Sequence, residues 1–97
     1  MKYVGPAYRA QTGYKPGSNQ KAIDVINYEE EELGNKYDIP NNIRMALTAI
    51  PARDVMWVAR TEKGAREYGE EIEDVTPAVR GGEILIEMPD GVLVWMI

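Results

Sequence analysis

The stretch WVARTEKGAREYGEE, residues 57–71, decides how this chain folds, because it joins a strand pattern to a helix pattern through one polar residue. Residues 57–59 are apolar on both faces, as in a strand that is covered from both sides. Thr61 is a good N-cap for a helix over 62–68, which Gly69 closes. The stretch therefore predicts a central strand, a tight turn and a short helix.

Further strand and helix patterns flank this stretch on both sides, bounded by glycine, proline or asparagine. The predicted elements are a strand at 3–11, a helix at 20–33, a helix from Asn41 or Asn42 to Ile50, a strand at 55–60, the helix at 62–68, and a hairpin over 82–97 that turns at Pro89, Asp90 and Gly91. The acids between 70 and 74 are expected in an exposed connection. Two or three short helices with a largely antiparallel sheet make an α+β fold.

Length and composition indicate a small globular protein. A chain of 97 residues with 44% hydrophobic and 28% charged residues has the balance of a folded chain, and one core suffices at this length. Residues 1–97 are therefore expected to form a single domain. The chain has no cysteine and no histidine, so no metal site is expected, and catalysis would use carboxylates, tyrosines, hydroxyls or arginine.

Charge is distributed unevenly along the chain. The net charge is −5, and the half from residue 51 onward contains the whole acidic excess. An acidic surface without a basic patch repels a phosphate backbone, which argues against direct nucleic-acid binding. No apolar run approaches the roughly 18 to 20 residues that span a bilayer, and residues 1–10 lack the apolar core of a signal peptide. We expect a cytoplasmic protein without a membrane partner.

Four side chains suit a ligand, and each also has an ordinary structural explanation. Arg9 lies in an apolar strand, where it either points to solvent or presents its guanidinium to a phosphate or carboxylate. Trp57 and Tyr68 either pack in the core or stack on a nicotinamide or adenine ring. Thr61 either caps its helix or contacts a ligand through its hydroxyl.

Two glutamates of the predicted penultimate strand are candidate catalytic groups. Glu83 and Glu87 are four residues apart, so both would project from the same face, about 13 Å apart at roughly 3.3 Å per residue. That separation is too great for a shared proton. Either glutamate alone could stabilise a developing cation, and both could equally be solvated carboxylates on an exposed sheet face.

The run Glu29 to Glu32 places four carboxylates in the last turns of a predicted helix. They oppose the helix dipole and repel one another, each by a few tenths of a kcal/mol. A basic partner would relieve this repulsion, and so would solvation and salt.

The order of these parts resembles the ADP-ribosyltransferase fold. The matching segments are Tyr8-Arg9 in the first strand, Thr61 followed by EKGAREYG, and the late strand that leads into MPDGVLV. The resemblance implies that Arg9 contacts the dinucleotide NAD, that Thr61 lies near the nicotinamide ribose, and that a glutamate of the late strand is catalytic. The family's Glu-x-Glu pattern fits this strand in two registers, one that places Leu85 at the catalytic position and a shifted one that places Glu87 there.

Two functions of different classes follow. As an enzyme, the protein would bind NAD through Arg9, Trp57, Thr61 and Tyr68, and would transfer ADP-ribose to a protein or nucleic-acid acceptor with Glu87 or Glu83 as the catalytic carboxylate. As a non-catalytic acidic protein, it would dock on a partner with a basic surface, in the manner of a phage or mobile-element inhibitor of a host machine. Sequence alone leaves both open.

Overall fold

The structure is a computed structural model that describes residues 1–11, 17–32, 34, 36–89 and 91–96. It confirms a small α+β fold with antiparallel strand pairing. Four α-helices occur in the described residues, where the sequence predicted two or three. The elements are β1 (Tyr8–Ala10), α1 (Ala22–Glu32), α2 (Asn41–Leu47), a 3-10 turn (Ala52–Asp54), β2 (Val55–Val58), α3 (Glu62–Arg66), β3 (Ile72–Asp74), α4 (Thr76–Val79), β4 (Glu83–Met88) and β5 (Gly91–Trp95).

The chain divides into two compact units. Unit 1 comprises Met1–Tyr14 with Met56–Ile97, and unit 2 comprises Lys15–Val55. The expectation of a single domain over residues 1–97 stays a prediction. The predicted helix end at Leu33, the turn residue Asp90 and the last residue Ile97 lie outside the described residues.

Unit 1 contains two small sheets. One has the strand order β2-β5-β4, and the other pairs β1 with β3 in antiparallel register. Tyr8 and Ala59 exchange backbone hydrogen bonds of 2.9 and 2.8 Å, so β1 lies beside the chain that leaves β2. Thr61 lies two residues after this bridge and is followed directly by α3, which packs against β1 and β3.

The acidic connection predicted at 70–74 is wrong in one respect, because Ile72–Asp74 form strand β3. The Gln11 amide donates to the Glu71 carbonyl at 2.9 Å, and Arg9 pairs with Glu73 across the sheet. Strand pairing uses only the backbone, so the side chains of Glu73 and Asp74 remain exposed while their main chain enters a ladder.

The hairpin of β4 and β5 confirms the prediction for residues 82–97 within its described part, but its register is irregular. Glu83 pairs with Trp95, whereas Glu87 pairs with Val92, because the register shifts between Ile84 and Ile86. Directly paired residues share a face and neighbouring residues alternate, so partners three apart on β5 lie on opposite faces. The expectation that Glu83 and Glu87 share one face is therefore wrong. The extra residue in β4, a β-bulge, is the reason.

The core of unit 1 forms around one face of the three-stranded sheet. Its buried side chains are Tyr3, Ala7, Val58, Val75, Val79, Val92 and Val94. Tyr3 is fully buried although it precedes β1, because its backbone bonds to Gly81 and Gly82 ahead of β4. The N-terminal segment thus borders the β4 edge. The strand predicted at 3–11 is shorter in the structure, because β1 covers only Tyr8–Ala10.

Unit 2 is mainly helical. Its buried apolar residues are Ala22, Ile26, Ile39, Leu47, Ile50 and Ala52. The amide of Ala22 donates to the Ile50 carbonyl at 2.8 Å, and the amide of Ala52 donates to the Gln20 carbonyl at 3.0 Å. These two bonds join the start of α1 to the chain after α2, and so close the unit.

Candidate functional site

A cleft of about 290 Å³ lies within unit 1, where β2 leads into α3 and β4 leads into β5. It is lined by Ala59, Arg60, Thr61, Gly64, Glu87, Met88, Pro89, Gly91 and Val92. Sites for small molecules have volumes of about 300 to 1,000 Å³. The cleft is therefore just below this range, with room for a ring and its sugar but not for a whole dinucleotide.

Thr61 takes its place in the cleft as the N-cap of α3. Its hydroxyl oxygen accepts a hydrogen bond of 3.0 Å from the Gly64 amide, which confirms the capping role. Gly64 fits this turn closely, because an added Cβ would lie 3.2 Å from the Thr61 hydroxyl. A hydroxyl has one proton to donate and two lone pairs. Capping uses one lone pair, so the Thr61 hydroxyl can cap the helix and also donate to a ligand.

Glu87 faces Arg60 in the same cleft. The Glu87 Oε1 and Arg60 Nη2 atoms are 3.7 Å apart, and the two side chains are 52% and 46% exposed. This distance exceeds that of a hydrogen bond, so the two charges attract each other without a fixed bond geometry. Glu87 is thus a solvated carboxylate at the rim of the cleft.

The Tyr3 ring packs against the guanidinium of Arg60. The guanidinium carbon lies 4.9 Å from the centre of the Tyr3 ring, which is the geometry of a cation–π contact. The Tyr3 hydroxyl donates to the Pro6 carbonyl at 2.7 Å. Burial raises the pKa of Tyr3 above its ordinary value; the Arg60 charge works against this rise and the Glu87 charge adds to it. The Tyr3 hydroxyl therefore stays protonated, and its hydrogen bond to the Pro6 carbonyl holds the ring in place.

Glu83 does not line the cleft. Its carboxylate accepts a hydrogen bond of 2.7 Å from the Met1 amino group and lies 3.7 Å from the Lys2 ammonium. The hydrogen bond from the Met1 amino group is the main reason that the pKa of Glu83 lies below its usual value. The bulge separates Glu83 from Glu87, and the structure brings only Glu87 to the cleft.

The other three predicted ligand residues also lie outside the cleft lining. Arg9 is half-buried on β1, and in the described part of the chain it has no ion-pair partner within 4.0 Å. Tyr68 is 55% exposed. Trp57 is half-buried behind the cleft, since a Cβ added at Gly91 would lie 3.5 Å from its ring. The structure therefore brings together Thr61 and Glu87, with Trp57 behind them.

Arg60 is the cleft residue that sequence reasoning missed. It directly follows the apolar run of the central strand and directly precedes the helix cap. A cation at the end of a buried strand, next to a turn, is the signal that identifies such a residue, because side chains at that position lie at the edge of a sheet. Because the basic residues are scattered along the chain, no sequence pattern singled out Arg60.

The Glu29 to Glu32 run in unit 2 is partly neutralised within the protein. Arg44 donates to both carboxylate oxygens of Glu30, at 3.0 and 2.9 Å, and also to the Tyr37 carbonyl at 3.3 Å. The Tyr37 hydroxyl donates to Glu29 at 2.6 Å. The Arg44 hydrogen bonds lower the pKa of Glu30. An external basic partner is therefore not required for this half of the run, whereas Glu31 and Glu32 are exposed.

Unit 2 also has a shallow groove of about 390 Å³ between α1 and α2. Its lining includes Ile23 and Met45, and Met45 is 73% exposed. The lining has one charged group and one hydroxyl, and both are already bonded within unit 2: Arg44 to Glu30, and the Thr48 hydroxyl to the Met45 carbonyl. The cleft of unit 1 is therefore the candidate site.

No group of three or more acidic side chains in the described residues lies close enough together to hold a metal ion. None of the helices that these residues form has the length and apolar character to span a bilayer.

Comparison with known proteins returns no match: the chain resembles no family model, no curated protein and no solved structure closely enough to be grouped with it.

Proposed function

We propose that unit 1 is a small ADP-ribosyltransferase-like domain whose cleft binds the nicotinamide–ribose end of NAD. The observation that supports this proposal is the arrangement of Thr61, Arg60 and Glu87 around one cleft at the end of the central strand. A guanidinium can bind a phosphate, a hydroxyl can donate to a ribose oxygen, and a carboxylate can stabilise an oxocarbenium-like sugar. The strand β2, Thr61 and the helix α3 follow one another here in the order on which the family resemblance depends.

Glu87 is the catalytic carboxylate in this proposal. When the bond between the ribose C1′ and the nicotinamide nitrogen breaks, its electron pair leaves with nicotinamide and the ribose ring becomes oxocarbenium-like. A carboxylate at the cleft rim stabilises that positive charge. The acceptor nucleophile then forms a new bond to C1′ and loses its proton to solvent. Thr61 donates its hydroxyl proton to a ribose oxygen and so orients the sugar.

The β4 bulge supports Glu87 over Glu83 for this role. In a regular strand, residues four apart lie on the same face. The extra residue in β4 places Glu83 and Glu87 on opposite faces, so only Glu87 lines the cleft. Glu83 is also engaged by the Met1 amino group and Lys2. Trp57 lies next to Gly91 of the cleft lining and would support the ring end of the site from outside the lining, while Arg9 and Tyr68 would contact the parts of NAD that extend beyond the cleft.

Titration with NAD tests the proposal, because the two tryptophans report on the site. Trp57 lies behind the cleft, and Trp95 lies on β5. We expect a saturable change in tryptophan fluorescence below millimolar NAD, and slow release of nicotinamide measured by chromatography. Glu87→Gln should bind NAD but release nicotinamide at least about 100-fold more slowly, since removal of one group that stabilises the transition state typically costs 10²- to 10³-fold.

Glu83→Gln is the matched control, because it removes the same charge from the same strand outside the cleft. It should release nicotinamide at the wild-type rate. No fluorescence response at millimolar NAD would overturn the proposed function. Equal losses in the two variants would show that Glu87 has no special role.

A second candidate function is favoured by one specific observation, a dense acidic surface around β3. Five acids occur within residues 67–74 without a single base, and all five are exposed. They are Glu67, Glu70, Glu71, Glu73 and Asp74. Through such a surface, a non-catalytic acidic protein would bind a partner with a basic surface, and electrostatics would govern the association rate and selectivity. This candidate would be favoured if the wild-type protein does not bind NAD but binds a partner with a basic surface in a strongly salt-dependent manner. A phage or mobile-element inhibitor of a host machine would behave in this way.

A further inference from the structure

The contacts of Arg60 hold its position but leave its donors underused. Its Nη1 lies 3.5 Å from the Val4 carbonyl, and its Nη2 lies 3.7 Å from Glu87. Good hydrogen bonds of this kind are about 2.7 to 3.2 Å long. A guanidinium has five N–H donors in a planar fork, so most of its capacity for hydrogen bonding is still available to a ligand in the cleft.

The position of Arg60 is nevertheless well defined. The Tyr3 ring beneath it is fully buried, and its hydroxyl is anchored on the Pro6 carbonyl. A guanidinium stacked on a rigid ring has fewer orientations to lose when it binds an anion. Arg60 is therefore preorganised, while about half of its side chain stays exposed at the cleft.

We infer that Arg60 binds a phosphate group of the ligand, and that this phosphate displaces the Glu87 carboxylate from the guanidinium. Planar guanidinium forks bind phosphate in a bidentate manner, through two short charge-assisted hydrogen bonds. The loose contact with Glu87 contains no such bond, so an oxyanion that forms two of them competes effectively. This assignment takes the phosphate role from Arg9, which does not line the cleft, and it rests on the proposed function for the identity of the phosphate carrier.

Displacement also links ligand binding to catalysis. In the structure, the carboxylate of Glu87 is attracted to Arg60. Once phosphate occupies the guanidinium, the carboxylate is released to face the ribose. The same competition predicts an unusual result for a residue of the site: removal of the Glu87 charge should strengthen the binding of phosphorylated ligands.

The test measures binding of ADP-ribose, ADP and nicotinamide riboside by isothermal titration calorimetry. ADP-ribose and ADP contain the pyrophosphate, whereas nicotinamide riboside contains the ring and sugar without phosphate. Arg60→Ala should weaken ADP-ribose binding by about 10- to 100-fold, the loss of a bidentate charge-assisted contact. Arg60→Lys should give an intermediate loss, because lysine retains the charge but not the fork. Nicotinamide riboside should bind all three proteins within about twofold.

Glu87→Gln distinguishes competition between Glu87 and the phosphate from a merely structural role of Arg60. It should tighten ADP-ribose binding by about 2- to 10-fold, because the competing carboxylate is lost. Arg66→Ala is the matched control: Arg66 is an exposed arginine of the same unit, 3.3 Å from Glu62 and outside the cleft. It should leave ADP-ribose binding unchanged, and circular dichroism should show that every variant is folded.

The outcomes separate this inference from the proposed function. Wild-type binding of NAD that Arg60→Ala and Arg60→Lys leave unchanged would overturn the inference and leave the function standing. Arg60-dependent binding of ADP without any response to NAD would support the inference and overturn the function. Equal weakening of nicotinamide riboside and ADP-ribose by Arg60→Ala would also overturn the inference, because it would show a collapsed cleft and not a lost phosphate contact.

Discussion

Two arginine–carboxylate pairs, one in each unit, show how geometry separates a structural ion pair from a candidate functional one. Arg44 and Glu30 of unit 2 form a bidentate pair at 2.9 and 3.0 Å, with side chains 29% and 25% exposed. Arg60 and Glu87 of unit 1 lie 3.7 Å apart and are about half exposed. The first pair has satisfied its donors inside the protein, whereas the second retains donors for a ligand. Residue type is the same, and only distance and burial differ.

The largest expected effect concerns the glycines of the two units. A Cβ at Gly82 would lie 2.6 Å from both the Trp95 carbonyl and the Val94 side chain, and backbone there cannot move aside. Gly82→Ala should therefore destabilise unit 1 by about 2 to 4 kcal/mol, measured by urea denaturation. In unit 2, Gly34 has a φ of +72° but open space around it, so Gly34→Ala should cost only about 1 kcal/mol of backbone strain. Equal losses would contradict this contrast.

Breaking each ion pair tests the comparison directly. Arg44→Gln leaves Glu30 without its bidentate partner and should lower the melting temperature by several degrees, because a hydrogen-bonded pair is broken. Arg60→Gln should lower it less, since its ion pair is loose. Thermal unfolding followed by circular dichroism measures both. A larger loss in Arg60→Gln would show that its contact with the Tyr3 ring is the more important structural feature.

Helix capping gives a smaller effect that also differs between the units. Thr61→Ala removes the hydroxyl that accepts from the Gly64 amide, and should cost about 1 kcal/mol. Thr61→Ser retains a hydroxyl and serves as the control. In unit 2, α2 begins after Pro40 without a side-chain cap, so Asn41→Ala should cost less. Chemical denaturation of the three variants measures these differences, and a costly Asn41→Ala would contradict the assignment.

Acid titration gives the smallest effect. The Arg44 hydrogen bonds lower the pKa of Glu30 from its ordinary value of 4.5, so the ionised form stabilises the folded protein. That stability is fully present above the unfolded pKa and is lost as pH falls through the lower folded value. The free energy of unfolding should therefore decline below about pH 4.5, and less steeply in Glu30→Gln.

Other groups titrate in the same range, so the difference between the two proteins is the informative quantity. The pKa of Asp74 is lowered by hydrogen bonds from Thr76, and that of Glu83 by the Met1 amino group. Both groups are present in wild type and in Glu30→Gln and cancel in the comparison. Identical slopes for the two proteins would contradict the role given to the Arg44–Glu30 pair.

Local sequence signals predicted much of the fold. The Thr61 cap, the helix after it and the β4–β5 hairpin all depend on residues within a few positions of one another, so pattern alone identified them. Strand β3 was missed because the four acids at 70–74 indicated an exposed connection, whereas the backbone there pairs with distant β1. The family resemblance directed attention to Thr61 and Glu87, whereas the contact that it implies between Arg9 and NAD stays a prediction.

What the sequence determined by itself is the set of local conformations: an apolar strand, a threonine that caps a helix, and a hairpin after two glycines. Only the tertiary structure decided which side chains meet. The bulge in β4 changes the faces of Glu83 and Glu87, and the Tyr3 ring places Arg60 opposite Glu87. The Tyr3 position depends on backbone hydrogen bonds to Gly81 and Gly82, which are far away in the chain, and the bulge depends on how β4 pairs with β5. Residue patterns within one strand or turn contain no information about either.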